Sequence, residues 1–184
     1  MVAAGAKPVV RVVAGALLVG GTIPLAASRG GISDDAALGA DGGGASGGRS
    51  LAQGPIAVGA SAGGRRVLIA ERPPGKHMAG RWEFPGGKVA AGESEATALA
   101  RELREELGVT VRECRPFMRL SHEYDDRIVE LSFWTVEAFD GEPMGLEGQG
   151  LKWVPVADLG NQGILEADAP FVEALQRAEL ERSA

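Results

Sequence analysis

The residues most able to do chemistry lie close together, in the stretch 87–109, which reads GKVAAGESEATALARELREELGV. The spacing predicts a helix over Glu95–Leu107. At about 100° per residue, Ala96, Leu99, Ala100, Leu103 and Leu107 gather on one side. Glu102, Glu105 and Glu106 stand at i, i+3 and i+4, so their carboxylates share another face. Arg101 precedes Glu105 by one helical turn and can pair with it, and Gly108 is placed for a left-handed C-cap. Three carboxylates on one face repel one another in water. Hard oxygen ligands gathered this way suit Mg²⁺ or Mn²⁺, which bind carboxylates together with substrate phosphates. In isolation, RELREE also fits a solvated face with Arg101 and Arg104 as ion-pair partners.

The larger frame decides between these readings. Gly87 is followed after five residues by Glu93, and seven more precede Arg101-Glu102-Leu103. Glu105, Glu106, Gly108 and Val109 complete the pattern GX5EX7REUXEEXGU, with U aliphatic. On these residues the chain resembles the Nudix family. Within it, 66–180 resembles the MutT-type nucleoside triphosphate pyrophosphohydrolases. GRWEFPGGKVAAGES (80–94) resembles their loop and box entry, and Arg72, His77 and Met78 resemble the residues before it. FDGEPMGLEGQ (139–149) resembles a segment that carries a further metal-site glutamate. Asp126-Arg127 and Ala167-Asp168-Ala169-Pro170 resemble segments bordering the base pocket.

The resemblance implies an α/β fold, with a mixed sheet between helices, and Mg²⁺-dependent hydrolysis of a nucleoside triphosphate to the monophosphate and pyrophosphate. It points first to 8-oxo-dGTP, removed before DNA replication can use it. Glu102, Glu105, Glu106 and Glu147 would hold the metal, with the backbone carbonyl of Gly87. Glu102 and Glu147 both remain candidates for the general base. Arg101 would orient the helix carboxylates, and Glu93 would tie the loop to the helix start. Arg72 is a candidate phosphate contact, because a guanidinium grips phosphate oxygens in a fork. His77 would reach the nucleotide from a loop, Phe84 would border the base or pack in the core, and Trp82 would pack.

Arg127 and Asp168 are the candidates for base recognition. Relatives that prefer oxidised guanine carry asparagine where this chain has Asp168. An amide donates and accepts, whereas an ionised carboxylate only accepts. Asp168 therefore opens a cytidine-nucleotide alternative, unless a dry pocket keeps it protonated. A non-catalytic nucleotide-sensing module is the alternative from another class. Retention of all three box carboxylates favours the enzyme.

The elements that must position these groups are legible as alternating patterns. Strands are expected at Arg66–Glu71, 109–120, 128–138 and 151–156, with an extended piece at 81–84. A last helix is expected over 168–182, with Asp168 as N-cap, Pro170 in its first turn and Phe171, Leu175 and Ala178 on one face. The first third of the 184 residues is different. Sixteen of the 28 glycines lie at or before Gly64, and all nine aromatic residues lie after it. Residues 22–54 have flexible-linker composition and read as an insertion. The apolar run Val9–Val19 is the expected first strand, with 56–60 as the alternative. The whole is expected to form one Nudix domain, with its recognisable core at 65–182.

The net charge of −6 argues against a nucleic-acid polymer as partner. Bound cations would still allow a phosphate ester. The single cysteine, Cys114, excludes an internal disulfide framework and fits a reducing, cytoplasmic setting. No apolar run is long enough for a membrane span. A monomer is expected.

Overall fold

The apolar run after Lys7 becomes a strand buried on both faces, and the rest of the sheet is arranged around it. In a computed structural model, which describes residues 6–20, 64–76 and 78–184, the elements are β1 (Val9–Val19), β2 (Arg66–Glu71), β3 (Trp82–Glu83), β4 (Gly86–Lys88), α1 (Glu95–Leu107), β5 (Thr110–Glu123), β6 (Ile128–Asp140), β7 (Leu151–Pro155), two 3₁₀ turns (Val156–Asn161 and Glu166–Asp168) and α2 (Ala169–Ser183). The expected insertion at 22–54, the alternative strand at 56–60 and His77 lie outside the described residues.

The sheet is mixed. Its order is β3-β2-β1-β6-β5, with β4 added beside β1 and β7 beside β2. β1 runs parallel to β6, Val9 opposite Ile128 and Leu17 opposite Val136. On its other edge β1 pairs antiparallel with β4 at Val12–Ala14 and then with β2 at Leu18 and Val19. Successive side chains of a strand point to opposite faces. Val13 and Leu17 therefore join Leu99, Leu103 and Leu107 of α1 in one apolar cluster. Ala14, Ala16 and Leu18 join Phe133, Phe171 and Leu175 in another, beneath α2. The sheet thus lies between the two helices, as the resemblance implied. A strand covered on both faces reads as a continuous apolar run.

Two local details show how β1 and α1 pack. Gly15 lies within β1, which spans Val9–Val19 as expected. A Cβ there would lie 2.9 Å from Leu99 Cδ1 and 3.3 Å from Leu103 Cδ1, so the glycine lets α1 pack close against the strand. On α1 itself the buried residues are Ala98, Leu99, Leu103 and Leu107, whereas Ala96 and Ala100 are only half-buried. Ser94 caps the helix by accepting from Thr97 N at 3.2 Å. Gly108 ends it at φ 72°, as expected.

β5 and β6 run further than expected, to Glu123 and Asp140, and form a long hairpin. Pro116 is tolerated because β5 is an edge strand and its register shifts between Pro116 and Met118. Among the described residues, no helix is long and apolar enough to cross a membrane.

Candidate active site

The loop between β4 and α1 is held by Arg101. Its guanidinium donates from Nε and Nη2 to the two oxygens of Glu93, both at 3.0 Å. Nη2 also reaches the Lys88 carbonyl at 3.0 Å. Nη1 reaches Glu102 at 2.9 Å and Glu105 at 3.2 Å. Glu93 in turn accepts from Ala90 N at 3.0 Å, closing the turn before the helix. The bond from Arg101, then the one from Ala90, holds the Glu93 carboxyl below its ordinary range. The bonds to Glu93 and then Glu102 raise the Arg101 pKa, so the fork stays charged. Arg101 and Glu93 therefore fix the loop and helix relative to each other, with the carboxylates of α1 as part of the same network.

β4 brings two glycines against α1. Gly86 donates its N–H to Glu106 Oε2 at 3.1 Å. It stands at φ 153°, and a Cβ there would lie 2.1 Å from the Val13 carbonyl oxygen. A Cβ on Gly87 would lie 2.3–2.5 Å from the carboxyl atoms of Glu102. Glycine leaves room for that carboxylate where it stands; a larger residue would make the Glu102 side chain move away. Burial pushes Glu106 up to about 7, against the Gly86 N–H, and the nearby charges of Glu147 and Glu102 add to the rise. Glu105 is different: its side chain is 54% exposed and Arg101 is its ion-pair partner.

Glu147 arrives from the loop between β6 and β7. That loop is docked on the last turn of α1. Leu146 N donates to the Glu106 carbonyl at 2.9 Å, Met144 N to the Leu107 carbonyl at 3.0 Å, and Gln149 Nε2 to the Glu106 carbonyl at 3.1 Å. Gln149 Oε1 accepts from Glu147 N at 2.8 Å. The carbonyls left open at a helix end thus position the loop. Glu106 and Glu147 line one open cleft with Gly86, Glu71, Glu83 and Lys76. Lys76 Nζ lies 3.3 Å from Glu147 Oε2.

Among the described residues, no three acidic, histidine or cysteine side chains stand close enough to enclose an ion as they are. Ion pairs to Arg101 and Lys76 hold Glu102, Glu105 and Glu147. The donor chemistry nevertheless fits a hard divalent cation. The oxygens are carboxylate oxygens, and the raised Glu106 records negative charge gathered in a partly dry place. A cation there would reverse that rise.

On the other wall Arg72 pairs with Glu83, and both are half-buried. Its backbone N–H donates to the Arg81 carbonyl at 2.9 Å. Asp168 is buried, and its Oδ2 lies 3.4 Å from Phe84 N. Burial pushes its carboxyl up to about 7, opposed by the Phe84 N–H, with Glu83 adding to the rise. Asp168 was expected to cap α2 with its side chain. It stands at the N-cap position, but in helical conformation, without a side-chain capping bond. The preceding 3₁₀ turn carries helical geometry into α2 and turns the carboxylate toward Phe84. Phe84 lines the cleft and also packs edge-on against Phe171, with ring centres 4.7 Å apart. Trp82 is packed under Lys152, whose Nζ lies 3.8 Å from the ring centre.

Arg127 stands apart. It sits at the turn of the β5–β6 hairpin, bonded to Asp126 at 2.8 Å and lying over Tyr124. The sheet register places neighbouring Ile128 opposite Val9, four residues along β1 from the Val13–Gly87 pair. That is about 13 Å of strand. Sequence reasoning passed over Lys76, Glu83 and Gln149. Gln149 was within a quoted motif, but its partners lie on α1 and carry no local spacing signal.

Comparison with known proteins agrees with this arrangement. The family model described as NUDIX domain matches residues 57–174. An 8-oxo-dGTP diphosphatase of Escherichia coli is 40% identical over 111 residues, covering 60% of this chain and 86% of that protein. A CTP pyrophosphohydrolase of Escherichia coli is 37% identical over 119 residues, covering 65% and 88%. A solved MutT structure, from work on Aliivibrio salmonicida and Vibrio cholerae, is 32% identical with a TM-score of 0.61, covering 92% of this chain and 98% of that one. The chain belongs to the Nudix family, as a MutT-like hydrolase.

Proposed function

We propose that the chain hydrolyses 8-oxo-dGTP to the monophosphate and pyrophosphate, as a nucleotide-sanitising enzyme of the cytoplasm. The coarser activity, nucleoside triphosphate pyrophosphohydrolysis, is supported by the family match and by the names of the relatives. The observation that carries the reading is the convergence of three segments. The glycines of β4, the acidic face of α1 and the docked Glu147 loop meet beside one cleft. Glu102, Glu105, Glu106, Glu147 and the Gly87 carbonyl would hold Mg²⁺, or Mn²⁺ in its place. A bound divalent ion supplies neutralisation of phosphate charge and activation of water.

The chain's own residues then have distinct tasks. Arg101 orients Glu102 and Glu105 through its ion pairs to both. The Gly86 N–H holds one oxygen of Glu106 and leaves the other for a ligand. Glu102 or Glu147 accepts the proton of the attacking water. Arg72 and His77 are assigned to the phosphates, and Phe84 and Asp168 to the base; Arg127, held at the hairpin turn by Asp126 and Tyr124, would have to reach the base from outside the cleft. We read the chain as a monomer, built as one domain around the insertion at 22–54.

Asp168 supports a second reading, a preference for CTP or dCTP. Ionised, it would accept from the cytosine amine. Protonated, it can donate as well as accept, which suits the oxo group and ring N–H of oxidised guanine. Pyrophosphate release from 8-oxo-dGTP, dGTP, dCTP and CTP, compared by kcat/KM, tests both readings. The first expects 8-oxo-dGTP to lead. Leadership by CTP or dCTP would establish the second, and no release from any of the four would sink the enzyme reading.

A further inference from the structure

We propose that Lys76 is a built-in counter-ion of the metal site, which occupies Glu147 before the divalent cation arrives and then turns to the triphosphate. The inference rests on the metal-site reading above. Among the described residues lining the cleft, four are acidic (Glu71, Glu83, Glu106 and Glu147) and Lys76 is the one lysine or arginine. Its Nζ crosses from the β2–β3 loop to Glu147, 71 residues away in sequence. Its backbone is fixed at both ends of the reach. Lys76 N donates to the Pro73 carbonyl at 3.3 Å, and the Lys76 carbonyl accepts from Ala79 N at 3.2 Å. The side chain, by contrast, is half-exposed and has four carbons of freedom. A fixed base with a mobile ammonium suits exchange between two anions.

The competition follows from charge. Lys76 and a divalent cation seek the same Glu147 oxygens, so the ammonium weakens metal binding in the absence of nucleotide. Once the cation holds Glu147, the ammonium is released beside a cleft that a triphosphate enters. There it can donate to phosphate oxygens, as lysine does elsewhere as a point charge. Cation and triphosphate then favour each other's binding, because each removes an obstacle to the other.

The test is a titration with Mn²⁺ alone, followed by paramagnetic relaxation or calorimetry, on the full-length chain. Half-exposed partners make a weak pair, so Lys76→Met is expected to bind Mn²⁺ about two- to fivefold more tightly than the parent. In an E147Q background the same substitution should change nothing. Inorganic triphosphate added to the Mn²⁺-loaded protein should bind about tenfold more weakly to K76M, in line with loss of a charged hydrogen bond, and K76R should recover most of that loss. Unchanged or weaker Mn²⁺ binding by K76M, or an equal effect in the E147Q background, would overturn the exchange. If the parent bound no Mn²⁺ at all, the metal-site reading would fail first and take this inference with it. Thermal unfolding of each variant separates these results from misfolding.

Discussion

Glu102 and Asp168 are both carboxylates drawn toward the strands that lead into the box, but they are held by opposite means. Glu102 lies on the α1 side. A guanidinium is its partner at 2.9 Å, and its carboxyl fits over a glycine. Asp168 lies on the α2 side. It is buried, receives one long bond from a backbone N–H, and is pushed up to about 7. On the α1 side a guanidinium is set beside Glu102 and Glu105, although burial also raises their neighbour Glu106 to about 7. On the α2 side burial acts on Asp168, opposed mainly by one backbone N–H. That division matches two tasks, gripping a polyanion through metal and reading a base through hydrogen bonds. It also predicts that damage to the two walls will show in different measurements.

The largest effect is expected on the α1 wall. Glu106→Gln keeps the size of the side chain and its bond to Gly86 N, but removes a charged ligand. Turnover should fall by roughly two to four powers of ten, with little change in thermal unfolding. Glu105→Gln sharpens the comparison within that wall. Glu105 is exposed and its ion-pair partner is Arg101, so its loss should be smaller unless bound metal draws it in. An equal loss at both positions would mean that the loaded site is tighter than the free one.

Asp168→Asn tests the other wall through pH. The folded protein holds the Asp168 proton up to about 7, against an ordinary value of 3.8. The contribution of this proton to stability is complete below the ordinary value and is lost as pH rises to about 7. Asparagine has no such dependence. The parent should therefore lose stability relative to the variant between about pH 4 and 7, by at most about 4 kcal/mol. Urea unfolding of both proteins at pH 5 and pH 8 measures the difference. A constant difference across that range would show that Asp168 keeps its charge when folded. The same substitution should raise the ratio of 8-oxo-dGTP to CTP turnover, because an amide always carries a donor.

The two walls also differ in how far sequence reveals them. The clamp around Arg101 was legible because its partners lie within one loop and one helix, Glu93 being eight residues away. Spacing translates directly into contact there. Glu147 was found through its motif, whereas the reason it is in place, Gln149 bonded to the Glu106 carbonyl, spans 43 residues. For Asp168 the local rule supplies only the helix cap and the resemblance supplies the base pocket, whereas its side-chain partner is 84 residues away. Gly15 makes the same point. The apolar run predicts a strand through it, but what the glycine makes room for, Leu99 and Leu103 of α1, lies far away in sequence. Periodicity revealed strands and helices because burial imposes it. Which side chains meet between elements depends on packing, which spacing alone does not record.

Arg101 gives the comparison its narrowest test. The residue acts through the carboxylates it holds, and its bonds to Glu93, Lys88 O, Glu102 and Glu105 need a planar fork. Lysine keeps the charge but can reach only part of that set. Arg101→Lys should therefore weaken metal activation by about 10- to 100-fold, the usual cost of disturbing groups that orient metal ligands. The expected signature is a shift of the Mg²⁺ or Mn²⁺ activation curve to higher concentration, with turnover partly recovered at saturating metal. The ratio of kcat/KM for 8-oxo-dGTP over CTP should stay constant, since Asp168 and Phe84 are untouched on the far wall. If R101K changed that ratio as D168N does, the walls would be coupled, and the separation of metal from base recognition would be wrong. If saturating metal restored nothing, Arg101 would be doing more than positioning Glu102, and direct contact with the phosphates would become the better account of its place in the site.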